Sequence, residues 1–94
     1  MSEPVIESSG NIFADLGFEP AEAAILKMRA DLLNDLRTYL EKSGMTQQKI
    51  GKRLCLTPAR VADLLRGDWE KFSLEALITL AARAGRKVSL DLAA

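Results

Sequence analysis

The 94-residue sequence predicts a mainly α fold of five helices followed by one C-terminal β-strand. Apolar residues recur every three or four positions through most of the chain, and four such stretches begin at a helix-capping residue or end at a glycine. In residues 87–92 the apolar spacing changes to two, which is typical of a strand. The length suits one small domain.

Residues 1–10 are polar and rich in turn-forming residues, so we predict a flexible N-terminal tail there. Asn11 can then cap a single helical turn, which Gly17 ends. Because so short a turn is unstable alone in water, it must dock on the core of its own domain, on a second copy or on another protein. The apolar side chains available for docking are Ile12, Phe13, Leu16 and Phe18.

The longest predicted helix begins at Pro20, a residue that suits a first helical turn, and ends at Ser43 before Gly44. A wide apolar stripe on a long helix normally faces the core. The residues expected to be buried are Ile25, Met28, Leu32, Leu33, Leu36, Tyr39 and Leu40.

Three short helices follow, each opened by a hydroxyl side chain that can cap a helix N-terminus. The predicted helices are 47–54 with the cap Thr46, 58–66 with the cap Thr57, and 74–84 with the cap Ser73. Glycines at 67 and 85 end the last two. The side chains expected to face inward are Ile50, Leu54, Val61, Leu64, Leu74, Leu77, Ile78 and Ala81.

The C-terminal strand, residues 87–92, would place Val88, Leu90 and Leu92 on one side. A single strand leaves its backbone N–H and C=O groups unpaired. Two copies of the chain could pair these strands as an antiparallel ribbon, which predicts a homodimer. The alternative is pairing with the sheet edge of a different protein.

The formal net charge is zero, from thirteen basic and thirteen acidic side chains, but the charges are unevenly placed. Residues 1–46 hold four basic and eight acidic side chains, a net charge of −4. Residues 47–94 hold nine basic and five acidic ones, a net charge of +4. Such asymmetry suggests a polyanionic partner for the basic half.

Several classes are excluded or disfavoured by missing residues. The chain has no histidine and one cysteine, Cys55, so it cannot build a zinc site of about four Cys/His ligands or an intrachain disulfide. It shows neither a signal-peptide pattern nor an apolar run near 20 residues, so we expect a cytoplasmic protein with no membrane partner. Without a phosphate-binding glycine loop or a nucleophile elbow, we expect no enzyme, no catalytic residue, no metal and no cofactor.

Residues 47–66 have the spacing of a helix-turn-helix, in which two short helices are joined by a turn of three to four residues. The positions where the helices touch are all apolar, and Gly51 is small enough for a close crossing. These contact residues are Ile50, Leu54, Leu56, Val61 and Leu64. The segment carries five basic residues and one acidic residue, a net charge of +4 that suits duplex DNA. We therefore predict a DNA-binding domain over residues 11–86.

In a helix-turn-helix the N-terminus of the second helix enters the major groove, so the predicted base-reading residues are Thr57, Ala59 and Arg60. The Arg60 guanidinium can span guanine O6 and N7, and Ala59 can touch a thymine methyl group. Any single lysine nearby is as well explained by a solvated surface, and Arg53 or Arg66 could pair with Glu70 or Asp63 instead. The candidate phosphate contacts are Gln47, Lys49, Lys52, Arg53, Arg66 and Lys71.

Three stretches carry a family resemblance: SGMTQQKIGKRL at 43–54, LTPARVADLLRG at 56–67 and FSLEAL at 72–77. They resemble the Xre/Cro-type helix-turn-helix family, whose fold is lambda-repressor-like. With SGNIFADLGF at 9–18 and GRKV at 85–88, the chain is similar to the antitoxin-like branch related to HigA proteins. The resemblance covers roughly residues 9–90.

The resemblance implies a homodimeric repressor that binds a palindromic operator in double-stranded DNA and regulates its own operon. HigA-like proteins also neutralise a ribosome-dependent mRNA-cleaving toxin. This implies a basic toxin as a partner for the acidic half, residues 1–46, or for the C-terminal strand. The alternative is a protein-interaction module that uses the fold without binding DNA.

The sequence departs from the family at two positions. Pro58 stands where the family often has a glutamine that contacts bases or phosphates, and this shifts the expected reading to Arg60 and Thr57. Cys55 stands where the family usually has glycine, so a positive φ there would cost about 1 kcal/mol. We expect Cys55 to be a buried structural thiol, with a redox sensor as the alternative.

Overall fold

The computed structural model describes residues 11–89, so the predicted tail over 1–10 and the strand residues Leu90 and Leu92 lie outside the described residues. The described part contains five α-helices, which confirms the mainly α prediction. They are α1 (Ile12–Asp15), α2 (Pro20–Ser43), α3 (Gln47–Leu54), α4 (Pro58–Arg66) and α5 (Leu74–Arg83). A 3-10 turn, Trp69–Lys71, connects α4 to α5 and was not predicted.

The predicted caps explain where the short helices begin. The side-chain oxygens of Thr46, Thr57 and Ser73 each accept a hydrogen bond from the backbone N–H three residues later. Gly67 ends α4 in the left-handed conformation, at φ 87°. The last helix ends at Arg83, one residue earlier than predicted.

The core lies between α2 and the four elements that follow it. α2 contacts α1, α4, α5 and the 3-10 turn, while α3 packs on α4 and α5. Burial of these apolar side chains is the main stabilising term for the fold. The largest fully buried side chains are Phe72, Leu33, Leu40, Leu54, Leu64, Leu77 and Val61.

The predicted apolar stripe of α2 is only partly buried. Its C-terminal half is in the core, whereas Ile25 and Met28 in the N-terminal half are 49% and 47% exposed. Ala23 is buried instead, and its carbonyl accepts a hydrogen bond from Asn11 Nδ2. The prediction was wrong for Ile25 and Met28 because α1 covers a different face of α2 at this end.

The inward face of α5 is also rotated from the prediction. Leu77 and Ala81 are buried as expected, and Leu74 is partly buried. Ile78 is 38% exposed, and Leu80 is buried in its place. The core-facing stripe is therefore 77, 80, 81 and 84, spaced by three, one and three residues as on a single helix face.

The N-terminal turn forms as predicted and docks on its own domain. Asn11 Oδ1 accepts from the backbone N–H groups of residues 13 and 14, and Gly17 has a φ of 93°. The Phe13 ring packs edge-on against Trp69, with centroids 5.3 Å apart. Its neighbours Ile12 and Leu16 stay 63% and 70% exposed, so docking uses one side of the turn.

Residues 87–89 have no regular secondary structure, and no strand occurs within residues 11–89. The predicted strand is therefore unconfirmed. Val88 is half-buried and lines a groove of about 570 Å³ beside Leu32 and Tyr39 of α2. Within the same range, no helix combines the length and hydropathy needed to cross a membrane.

Candidate nucleic-acid interface

α3 and α4 are joined by a three-residue connection whose geometry depends on Gly51. The backbone N–H of Leu56 donates to the Gly51 carbonyl at 2.9 Å, which closes the turn tightly over α3. A Cβ atom at position 51 would lie 3.0 Å from the Leu56 carbonyl oxygen and 3.4 Å from Val61 Cγ2. A Cβ atom would thus fit only if the turn or Val61 shifted by a few tenths of an ångström, so glycine suits this close crossing, as the sequence indicated. The contact residues Ile50, Leu54, Val61 and Leu64 are buried, and Leu56 is partly buried.

Cys55 is the residue that turns the chain between the two helices. Its φ of 58° lies in the left-handed region, which confirms that this position needs a positive φ. The prediction of a buried thiol was wrong, because the side chain is exposed. The neighbouring Leu54 is buried and Leu56 is partly buried, so these two side chains, and not Cys55, fill the interior of the turn.

The first turn of α4 is open to solvent. Pro58 and Ala59 are exposed, and Thr57 Oγ1 accepts from the Arg60 backbone N–H at 3.3 Å. A surface cleft of about 360 Å³ runs between this turn and α3. Its lining residues are Gln47, Gln48, Gly51, Lys52, Leu56 and Pro58.

The Arg60 side chain faces the loop after α4. One terminal nitrogen donates to the Lys71 carbonyl at 3.0 Å, and the guanidinium carbon lies 4.2 Å from the centroid of the Phe72 ring. Both contacts are intramolecular, and the stacking contributes about 0.5–1 kcal/mol at a partly exposed site. The base-reading role of Arg60 stays a prediction.

Asp63 forms ion pairs with basic side chains along the outer face of α4. Its carboxylate accepts from Arg66 and from Lys71 Nζ, the latter at 3.4 Å, and only 14% of its side chain is exposed. Arg66 also binds Asp68 at 2.9 Å. Hydrogen bonding and charge from Asp68, then charge from Asp63, raise the pKa of Arg66 above its ordinary value. The sequence-predicted pairing of Arg66 with Asp63 is present, so Arg66 and Lys71 are members of an ion-pair cluster.

The motif geometry agrees with a comparison against known families, in which the model of a helix-turn-helix domain matches residues 12–93. The chain belongs to this helix-turn-helix domain family. No curated protein sequence matches the chain significantly. Family membership supports a DNA-binding regulator with α3 and α4 as the two helices of the motif.

Two basic side chains of the helix-turn-helix motif, residues 47–66, stay unpaired among the described residues. Lys49 and Lys52 are exposed and make no hydrogen bond or ion pair there. Both lie on α3, on the same element as Gln47 and Gln48 at the edge of the cleft. These side chains are thus free to meet a phosphate.

Arg53, another predicted phosphate contact, links α3 to the end of α5, and its phosphate role stays a prediction. Its guanidinium donates to the carbonyls of Arg83 and Ala84, each at 3.4 Å. In the opposite direction, the Arg83 guanidinium of α5 donates to the Leu54 carbonyl of α3 at 3.0 Å. Each arginine satisfies carbonyl groups that the end of the opposite helix leaves without an intrahelical partner. This reciprocal pair was missed because no local spacing joins positions 30 residues apart.

The part of the helix-turn-helix domain that the structure describes brings no three metal-ligating Cys, Asp or Glu side chains together. What it does bring together at one surface is the open first turn of α4, the cleft and the free lysine Lys52 of α3. This surface can meet a duplex through a helix end and a flanking cation.

Proposed function

We propose that this helix-turn-helix domain is a sequence-specific repressor that binds a palindromic operator in double-stranded DNA as a homodimer. The observation that carries the proposal is the exposed first turn of α4, beside a cleft flanked by Lys52. A second helix can enter the major groove only if this turn is uncovered. The protein would act in the cytoplasm with no cofactor and no catalysis of its own.

The test is selection of binding sequences from a random duplex pool, followed by mobility shift against non-specific competitor. We expect an enriched site with two half-sites about 34 Å apart, one helical turn of DNA. A protein that enriches no sequence, and that competitor displaces equally from every duplex, would contradict the proposal. It would favour the alternative, a protein-interaction module with this fold.

We propose that residues 87–92 supply the dimer contact by antiparallel pairing of two strands. Replacing Leu90 and Leu92 with arginine would remove the apolar side of the strand, and we expect monomers by sedimentation and a large loss of operator affinity. Ser89→Arg, on the other side of the predicted strand, is the matched control and should remain dimeric. Dimers of the double variant would refute strand-mediated assembly.

A second function, that of an antitoxin, is favoured by the surface of α1 and the start of α2. Ile12, Leu16 and Phe18 are 63%, 70% and 42% exposed there. No basic residue occurs between positions 11 and 26, whereas Asp15, Glu19 and Glu22 are all exposed. An apolar surface with an acidic rim suits a protein partner with a basic surface.

The antitoxin proposal is tested by co-expression with the product of the adjacent gene. We expect co-purification and restored growth, both lost in Leu16→Glu and kept in Asn34→Glu, an exposed position further along α2. Failure of the wild-type protein to co-purify or to restore growth would remove the antitoxin role and leave the DNA-binding proposal intact.

A further inference from the structure

The first two turns of α4 present an apolar face. Pro58 and Ala59 are exposed, and Ala62 is partly exposed and lies three to four residues further on, so the three share one side of the helix. None of these side chains can donate or accept a hydrogen bond. Thr57 just before them uses its hydroxyl oxygen to cap the helix.

The polar side chains that flank this face are already engaged within the protein. Arg60 donates to the Lys71 carbonyl and stacks on Phe72. Asp63, 14% exposed, is surrounded by the cations of Arg66 and Lys71. These contacts hold the Arg60 guanidinium toward the loop after α4 and place Asp63 in ion pairs, whereas the apolar side chains of the face have no partner of this kind.

We infer that α4 selects its site by contact of Pro58, Ala59 and Ala62 with the C5-methyl groups of pyrimidines. The inference rests on the proposed DNA-binding function and specifies which groups of the DNA bases are recognised. The thymine methyl is the apolar group that a base pair displays in the major groove, and alanine is one of its usual contacts. An apolar helix face gains affinity there and loses it where polar base edges are buried without partners.

The test replaces each thymine of the selected operator, one at a time, with deoxyuridine. This change removes the C5-methyl group and leaves every hydrogen-bonding group of the base in place. We expect affinity to fall about fourfold at each contacted position and to stay unchanged elsewhere. At a contacted thymine, a change to cytosine should weaken binding, and 5-methylcytosine should recover about fourfold of that loss.

A pair of variants assigns the methyl contact to α4. Ala59→Asn places a polar amide on the apolar face, and we expect the ratio of thymine to deoxyuridine affinity to approach one at the position it contacts. Ala24→Asn, at an exposed position of α2, is the matched control and should keep the ratio. Thermal melting of both variants checks that each is folded.

Two outcomes would overturn the inference and are distinguishable. If every deoxyuridine duplex binds as tightly as the thymine duplex while Arg60→Ala loses selectivity, hydrogen bonding by Arg60 reads the site. If no sequence is selected at all, the proposed DNA-binding function itself fails, and the methyl readout fails with it.

Discussion

At the scale of single residues, Cys55 combines a backbone conformation that favours glycine with a side chain that glycine lacks. The connection between α3 and α4 requires a left-handed residue, and the chain supplies one that has a Cβ atom, at φ 58°. The side chain is exposed and has no packing contact in the core that would offset the strain.

We therefore predict that Cys55→Gly stabilises the protein by about 1 kcal/mol, because glycine adopts positive φ without the steric penalty. Cys55→Val, with a branched Cβ, should destabilise it. Urea denaturation of the three proteins gives the free energies of unfolding. A glycine variant no more stable than the wild type would show that the turn is unstrained.

Arg60 offers a second test at this scale. Because its guanidinium stacks on Phe72 and donates to the Lys71 carbonyl, Arg60→Ala should lower the free energy of unfolding by about 1 kcal/mol. The preference for thymine over deoxyuridine should survive the change. Urea denaturation and mobility shift on one preparation measure both effects, and lost selectivity with unchanged stability would assign base reading to Arg60.

At the scale of elements, Arg29 ties α2 to the 3-10 turn. Its guanidinium donates to the carbonyls of Phe72, Glu70 and Trp69 at 3.0, 3.2 and 3.4 Å, and lies 5.2 Å from the centroid of the Trp69 ring. These carbonyls lie in a connection that lacks a side-chain cap. One arginine of α2 thus replaces the local signals that fix the other connections.

Arg29→Lys should destabilise the protein by about 1–2 kcal/mol even though it keeps the charge, because an ammonium cannot match a planar fork that reaches three carbonyls and stacks on a ring. Lys27→Ala is the comparison, since it removes one exposed pair with Asp31 and should cost only a few tenths of a kcal/mol. Equal losses in thermal or urea unfolding would contradict this account.

Helix ends were predictable from sequence because their signals are local. The Thr46, Thr57 and Ser73 caps act over three residues, and all three helices begin where the caps predict. Burial was less predictable, because exposure of Ile25 and Ile78 depends on which elements cover α2 and α5. In the candidate site, the close helix crossing was predictable from Gly51. The contacts of Arg53 and Arg60 were not predictable, because they join residues far apart in the sequence.

At the scale of the whole molecule, the zero net charge is the sum of an acidic half and a basic half. In the folded structure, some basic side chains of the second half are engaged by other groups of the protein and others are not. Arg53 binds carbonyl groups, and Arg66 and Lys71 are paired with Asp63 and other partners. Among the described residues of the motif, the unpaired cations are those of α3, Lys49 and Lys52. We therefore expect Lys49 and Lys52, rather than the hydrogen-bonded or ion-paired arginines, to supply most of the direct phosphate contacts of the motif.

The salt dependence of operator binding tests which of these basic side chains contact phosphates. Affinity falls with salt with a log–log slope of about −0.9 per neutralised phosphate. We expect Lys49→Ala and Lys52→Ala each to reduce the steepness by about one unit per contact, equally for every bound sequence. Arg53→Ala should leave the slope nearly unchanged and lower the melting temperature, because its role is to join α3 to α5. A slope that Arg53→Ala reduces and the lysine variants leave unchanged would assign the phosphate contacts to Arg53 instead.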